Sequence, residues 1–103
     1  MKLDAKEMKL LVDFISNADE FSMYDEKNIC VLQISRLKNN ALSFDGNNKI
    51  SSFNIQDIHF EFSFENYDLS TGTIYFFKKD RYVLKVSNYG NGYDIIPELE
   101  RLK

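Results

Sequence analysis

The sequence predicts an α+β domain in which an N-terminal helix packs on an antiparallel, meander-like sheet of five or six strands. Three observations predict it. One amphipathic helical stretch opens the chain, and short apolar runs separated by polar turns fill it from residue 28 onward. Strands do not alternate with helices, so the crossover units that a parallel sheet requires are missing.

The helix is signalled first by Asp4-Ala5-Lys6-Glu7, an N-cap residue followed three positions on by Glu, which satisfies orphan N–H groups at a helix start. Met8, Leu11, Val12 and Ile15 then recur at helical spacing, and Leu10 and Phe14 widen the stripe, giving a helix from Ala5 to Asn17. Residues 18 to 27 follow neither period and read as a loop with at most one helical turn. Residues 28 to 37, around Ile29-Cys30-Val31-Leu32, read as a buried strand ended by Lys38-Asn39-Asn40, and residues 41 to 44 as a short strand. Asp45-Gly46-Asn47-Asn48 is a turn signal, so residues 49 to 53 are expected to pair back across it.

Ile58, Phe60, Phe62 and Phe64 alternate with Asp57, His59, Glu61, Ser63 and Glu65, which predicts one strand with four large groups facing the core. Residues 73 to 78 and 81 to 87 form a hairpin turning at Lys79-Asp80, with Tyr82, Leu84 and Val86 pointing inward. Residues 88 to 92 read as a loop. Pro97 can occupy a helix first turn, which allows a short C-terminal helix over residues 97 to 102, packing Leu99 and Leu102.

With 103 residues, 44 % hydrophobic and 15 % aromatic, the chain reads as a single domain spanning 1–103 that can bury a core without staples. The lone Cys30 excludes an internal disulfide; on an apolar strand it is expected to be buried, slow to react and in a reducing compartment. The mixed charges of the first seven residues fit neither a signal peptide nor a membrane span, so a cytoplasmic, non-membrane protein is expected. Net charge is −3, concentrated in residues 1 to 27, which have four Lys against seven Asp and Glu, and in residues 57 to 70, which have four acids and no Lys or Arg. If these stretches meet, they attract a basic partner and repel phosphates.

Nucleotide loops, nucleophile elbows and zinc motifs are absent from the sequence, so no cofactor, no metal and no catalytic residue is expected. A Cys30–His59 dyad is opposed by the apolar setting of the cysteine. Asp57, His59 and Glu61 share a strand face and could hold a metal or move a proton, against the plainer reading of a solvated face. The run from Ile58 to Phe64 superficially resembles the aromatic strand of RNA-recognition sheets. It lacks that motif's basic residue and Gly, and its acids oppose phosphate, so no nucleic acid is expected. Lys78, Lys79, Arg81 and Lys85 read as solvation around a hairpin. The segment with Asp19, Glu20, Phe21, Met23, Tyr24, Asp25 and Glu26 mixes acids with large apolar groups, as an interface with aromatic anchors does, although Phe21 and Met23 could equally tuck into the core.

In size, acidity, free-Cys usage and helix-plus-antiparallel-sheet plan, the chain resembles the general class of small bacterial or phage inhibitor proteins. That class includes immunity proteins that neutralise a toxin, often a nuclease, and anti-defence inhibitors. No functional residue carries over from so broad a likeness. It implies a cytoplasmic protein-binding inhibitor, and the acidic and aromatic stretches themselves offer the residues to cover a basic site: Asp19, Glu20, Phe21, Tyr24, Asp25, Glu26, Asp57 and Glu61. The alternatives are a small enzyme or ligand binder using the sheet face around His59, and a non-catalytic homodimeric module associating through a strand edge.

Overall fold

The computed structural model describes residues 4–46, 49–68 and 72–97. Helix α1 (Ala5–Asn17) has the predicted bounds. Asp4 Oδ1 accepts the Lys6 N–H at 2.8 Å, and Met8, Leu11 and Ile15 are buried. The remaining elements among the described residues are ten strands in two antiparallel sheets. The first sheet contains β1 (Glu20–Tyr24), β2 (Cys30–Arg36), β3 (Leu42–Gly46), β5 (Phe53–Ile55) and β6 (Ile58–Phe60), in the order β3-β2-β1-β5-β6. The second contains β4 (Lys49–Ile50), β7 (Ser63–Asp68), β8 (Thr73–Lys78), β9 (Arg81–Tyr89) and β10 (Gly92–Pro97), in the order β10-β9-β8-β7-β4. The α+β class with an N-terminal helix therefore holds, with two five-stranded sheets in place of one sheet of five or six strands.

Inward side chains of both sheets and of α1 form one core. At its centre Phe53 of β5 lies 5.7 Å from Phe60, 6.4 Å from Phe62 and Phe64, and 6.0 Å from Phe76 of β8, so one ring joins the two sheets. α1 touches both sheets as well: Phe14 packs on Phe21 of β1, and Glu7 reaches Lys78 of β8 at 3.7 Å. The sheets are tied laterally by Asn88 of β9, whose Oδ1 accepts the Leu42 N–H at 2.6 Å while its Nδ2 donates to Leu42 O at 2.5 Å. One side-chain amide thus does for β3 what a neighbouring strand's backbone would do.

Several expectations are corrected. The segment read as a loop contains β1, the central strand of the first sheet, because Phe21 and Met23 face inward and β2 and β5 pair on either side. Residues 49 and 50 do not pair back on β3; Lys49–Ile50 joins β7 in the other sheet. Gly46 pairs with Leu32 inside β3, where a Cβ would collide with Val31 O, so this glycine serves a close backbone approach; Asn47 and Asn48 lie outside the described residues. The run of alternating Phe residues is divided at Glu61 and Phe62 between β6 of one sheet and β7 of the other, although Phe60, Phe62 and Phe64 are all buried as expected. Residues 88 and 89 continue β9, and Gly92–Pro97 is β10 rather than loop and helix start; residues 98 to 102 lie outside the described residues.

The Lys79-Asp80 hairpin forms as predicted, with φ of 51° and 66°, the pair of positive values that a type I′ turn needs. Two side chains nevertheless face the opposite way from expectation. Met23 pairs with Leu32 but Tyr24 pairs with Cys30, so Val31 is an extra residue, and the bulge sends Cys30 outward. Likewise Phe76 pairs with Leu84 but Phe77 pairs with Tyr82, so Val83 is buried beside Leu84 and Tyr82 points out. The Cys30 thiol is therefore exposed, and the burial expected for it is corrected. Thiol labelling of native protein should proceed at a rate close to that of the unfolded chain; strong protection in the native state would contradict the bulge.

Candidate functional site

The outward positions of the first sheet follow from its register. β1 presents Glu20, Ser22 and Tyr24; β2 presents Cys30, Gln33 and Ser35; β3 presents Ser43 and Asp45; β5 and β6 present Asn54 and His59. None of these positions is Lys or Arg, and two are acids. The hairpin between β1 and β2 adds Asp25 and Glu26 at one end of this face, with Lys27 at its tip. Glu61 leaves β6 at that same end, because β6 runs antiparallel to β5 and β5 antiparallel to β1. Asp57 lies in the β5–β6 turn, toward the opposite end.

Each predicted interface residue now has a place. Glu20 is exposed and its Oε1 accepts from Gln33 Nε2 at 2.9 Å. Asp19 is exposed, and its carbonyl receives the Arg36 N–H at 2.7 Å. Tyr24 is 37 % exposed on the acidic face. Phe21 is only 8 % exposed and packs into the core, so it is not available as an anchor. The Asp25 carboxylate is used within the chain, where its Oδ1 accepts the N–H groups of Lys27 at 2.8 Å and Ile29 at 3.0 Å and shapes the hairpin in which Asn28 has φ 63°. Glu26 accepts from Ser52 Oγ at 3.2 Å, joining the hairpin to the start of β5. Asp57 and Glu61 are exposed. The two acidic stretches of the sequence thus meet at the hairpin end of the first sheet through Asp25, Glu26 and Glu61.

His59 stands on the open face, its Nδ1 2.8 Å from Asn54 Oδ1. An open cleft of about 630 Å³ lies elsewhere, between the β1–β2 hairpin and the β4–β5 segment, lined by Asp25, Glu26, Ile29, Lys49, Ser52 and Ser63 among others; His59 is not part of it. Among the described residues no group of three His, Cys, Asp or Glu is placed to hold a metal ion. Cys30 and His59 sit on strands separated by β1 and β5, too far apart for a dyad.

The basic cluster disperses. Lys78 pairs with Glu7 and sits 5.5 Å over the Phe62 ring, Lys79 and Arg81 are exposed at the turn, and Lys85 lies 5.6 Å over the Tyr75 ring. What the sequence reading missed is the outer face of the second sheet, where Tyr75, Phe77 and Tyr82 pack on one another, with Tyr75 6.4 Å from Phe77 and 5.8 Å from Tyr82. The alternation of Tyr75 and Phe77 with Ile74 and Phe76 carried that signal; the bulge at Val83 hid the part of Tyr82.

The fold and surface define an α+β chain with one acidic sheet face and one aromatic sheet face. No protein-family model, no curated protein and no solved structure matches it. No helix among the described residues is long and apolar enough to cross a membrane.

Proposed function

We propose that this chain is a small cytoplasmic protein-binding inhibitor, of the kind represented by immunity proteins that neutralise a bacterial toxin or by anti-defence inhibitors. It acts by laying the outer face of its first sheet over a basic site on its partner. The observation that carries the reading is the absence of Lys and Arg from the outward positions of that sheet, together with the gathering of Asp25, Glu26 and Glu61 at one end of it. A surface of one sign steers an oppositely charged partner and raises its association rate. Tyr24, central on the face between Cys30 and Asn54, is the aromatic anchor.

The test is affinity capture from the source cell, followed by binding kinetics at two salt concentrations. Reversing Glu20, Glu26 and Glu61 should slow association by about tenfold and flatten its salt dependence. Asp25 is left intact because its carboxylate holds the hairpin. Tyr24→Ala should leave association alone and speed dissociation about thirtyfold, equivalent to about 2 kcal/mol of anchor contact. Capture of no protein, or a small-molecule activity abolished by His59→Ala with the acidic variants unchanged, would overturn the inhibitor reading in favour of a ligand-binding or catalytic face.

A further inference from the structure

His59 of β6 stands on the outer face of the first sheet, and the attraction of that face for a basic partner gives it no task. Among the described residues the outward positions of the sheet hold no Lys or Arg, so His59 is where a positive charge can arise on it. Its side chain is exposed. Asp57 and Glu61, exposed as well, stand two residues to either side, about 6–7 Å of extended chain away. Asn54 faces it from β5, the neighbouring strand, with Oδ1 2.8 Å from His59 Nδ1. Tyr24 on β1 follows Asn54 in the same row, and Cys30 on β2 comes next. β6 is the edge of the sheet, so no further strand of it lies beyond. At the crossing to β7, Lys78 of β8 lies 5.5 Å over the Phe62 ring, but it is paired with Glu7 of α1 at 3.7 Å. The charges beside the imidazole on its own face are therefore carboxylates.

The hydrogen bond to Asn54 fixes which nitrogen is the base. An amide oxygen only accepts, so Nδ1 carries the hydrogen that Asn54 receives, and the free lone pair of the neutral ring is on Nε2. A proton taken up at Nε2 keeps that bond and makes the ring a cation without moving it. Histidine is the side chain that ordinarily changes charge between about pH 5 and 8.

We infer that His59 makes the acidic face a pH-dependent surface: with the ring neutral the face accepts a basic partner, and with Nε2 protonated it repels that partner from Asp57 and Glu61. The inference rests on the proposed function, because it names the regulation of the same face. Its sign follows from the charge. A cation binds best above the histidine range and less well as pH falls through it, and by linkage the bound cation makes the ring harder to protonate. One unit charge roughly 6–7 Å from another in water changes affinity by about threefold.

The probe is octalysine, titrated onto the whole chain by calorimetry at low ionic strength, at about pH 8 and about pH 5.5. Between these values wild type should lose about threefold more affinity than His59→Gln, whose amide does not titrate. Partial protonation of Asp and Glu at the lower pH weakens both proteins alike, so the difference between them is what is read. His59→Lys, a permanent cation, should bind weakly at both values; His59 is exposed, so neither substitution disturbs the core. Imidazole NMR of wild type should show the neutral ring with its hydrogen on Nδ1, and proton uptake at lower pH with octalysine than without it. Where reversal of Glu26 and Glu61 abolishes octalysine binding, equal pH dependence in wild type and His59→Gln, or a neutral ring with its hydrogen on Nε2, overturns the switch and leaves the acidic face standing. No binding to wild type at about pH 8, or binding that survives the reversal, overturns the acidic-face reading and the switch together.

Discussion

Phe53→Ala should destabilise the fold by about 3–5 kcal/mol, the range for emptying a core aromatic site. Phe53 is 1 % exposed, and its ring contacts four others that come from β6, β7, β8 and the Glu61–Phe62 crossing between the sheets. Collapse into the space left behind would have to draw both sheets inward at once, so little relaxation is open to it. Against a typical total stability of about 5–15 kcal/mol, that loss places the variant near its unfolding threshold. Denaturant titration of Phe53→Ala beside Phe44→Ala measures it, since Phe44 is only partly buried at the margin of the core. A smaller loss at Phe53 than at Phe44 would show that the sheets do not share one core.

Arg36→Met should cost about 1–3 kcal/mol despite a substitution that preserves length and apolar stem, because hydrogen bonds to a charged group contribute about 1.5–3 kcal/mol each, and of the five made here three are part-buried while the two exposed ones are replaced by water. α1 has no basic residue in its last turn. Arg36, from β2, supplies the missing cation: its Nη2 donates to the carbonyls of Ser16 at 2.9 Å, Ile15 at 3.2 Å and Ala18 at 3.3 Å, closing the C-terminal end of the helix. Its Nη1 donates to Asn40 Oδ1 at 2.9 Å and Tyr93 OH at 3.2 Å, and the guanidinium lies 5.1 Å from the Tyr93 ring centroid. One side chain therefore holds the helix to the first sheet and that sheet to β10 of the second. Arg36→Lys should recover only part of the loss, because an ammonium lacks the planar fork that reaches several acceptors. Thermal melts of the three proteins decide it, and equal stability of Arg36→Met and wild type would refute the role. Nothing in the sequence singled out Arg36, since its partners lie 4 to 57 residues away along the chain.

The acidic surface was half legible. Four acids in residues 19 to 26 and the acids at Asp57 and Glu61 could be read as candidates, but only the pairing of β1 with β5 and of β5 with β6 brings Glu26 and Glu61 to the same end of one sheet. Phe21 could be read as anchor or as core, and burial against Phe14 decided for core.

Local chemistry determined α1 with its Asp4 cap, the Lys79-Asp80 turn and the inward set Phe60, Phe62 and Phe64, because each depends on periodicity or on the φ preferences of a few adjacent residues. Tertiary structure decided which strand pairs with which. β1 alternates inward Phe21 and Met23 with outward Glu20, Ser22 and Tyr24 over only five residues, too few to declare itself without β2 and β5 beside it; the Phe run is divided at Glu61–Phe62 between the two sheets. Cys30 and Tyr82 turned outward because Val31 and Val83 are bulge residues, and a bulge exists only relative to a partner strand. A single extra residue reverses the face of everything beyond it, and the chain's own alternation records that reversal only once its partner is in place.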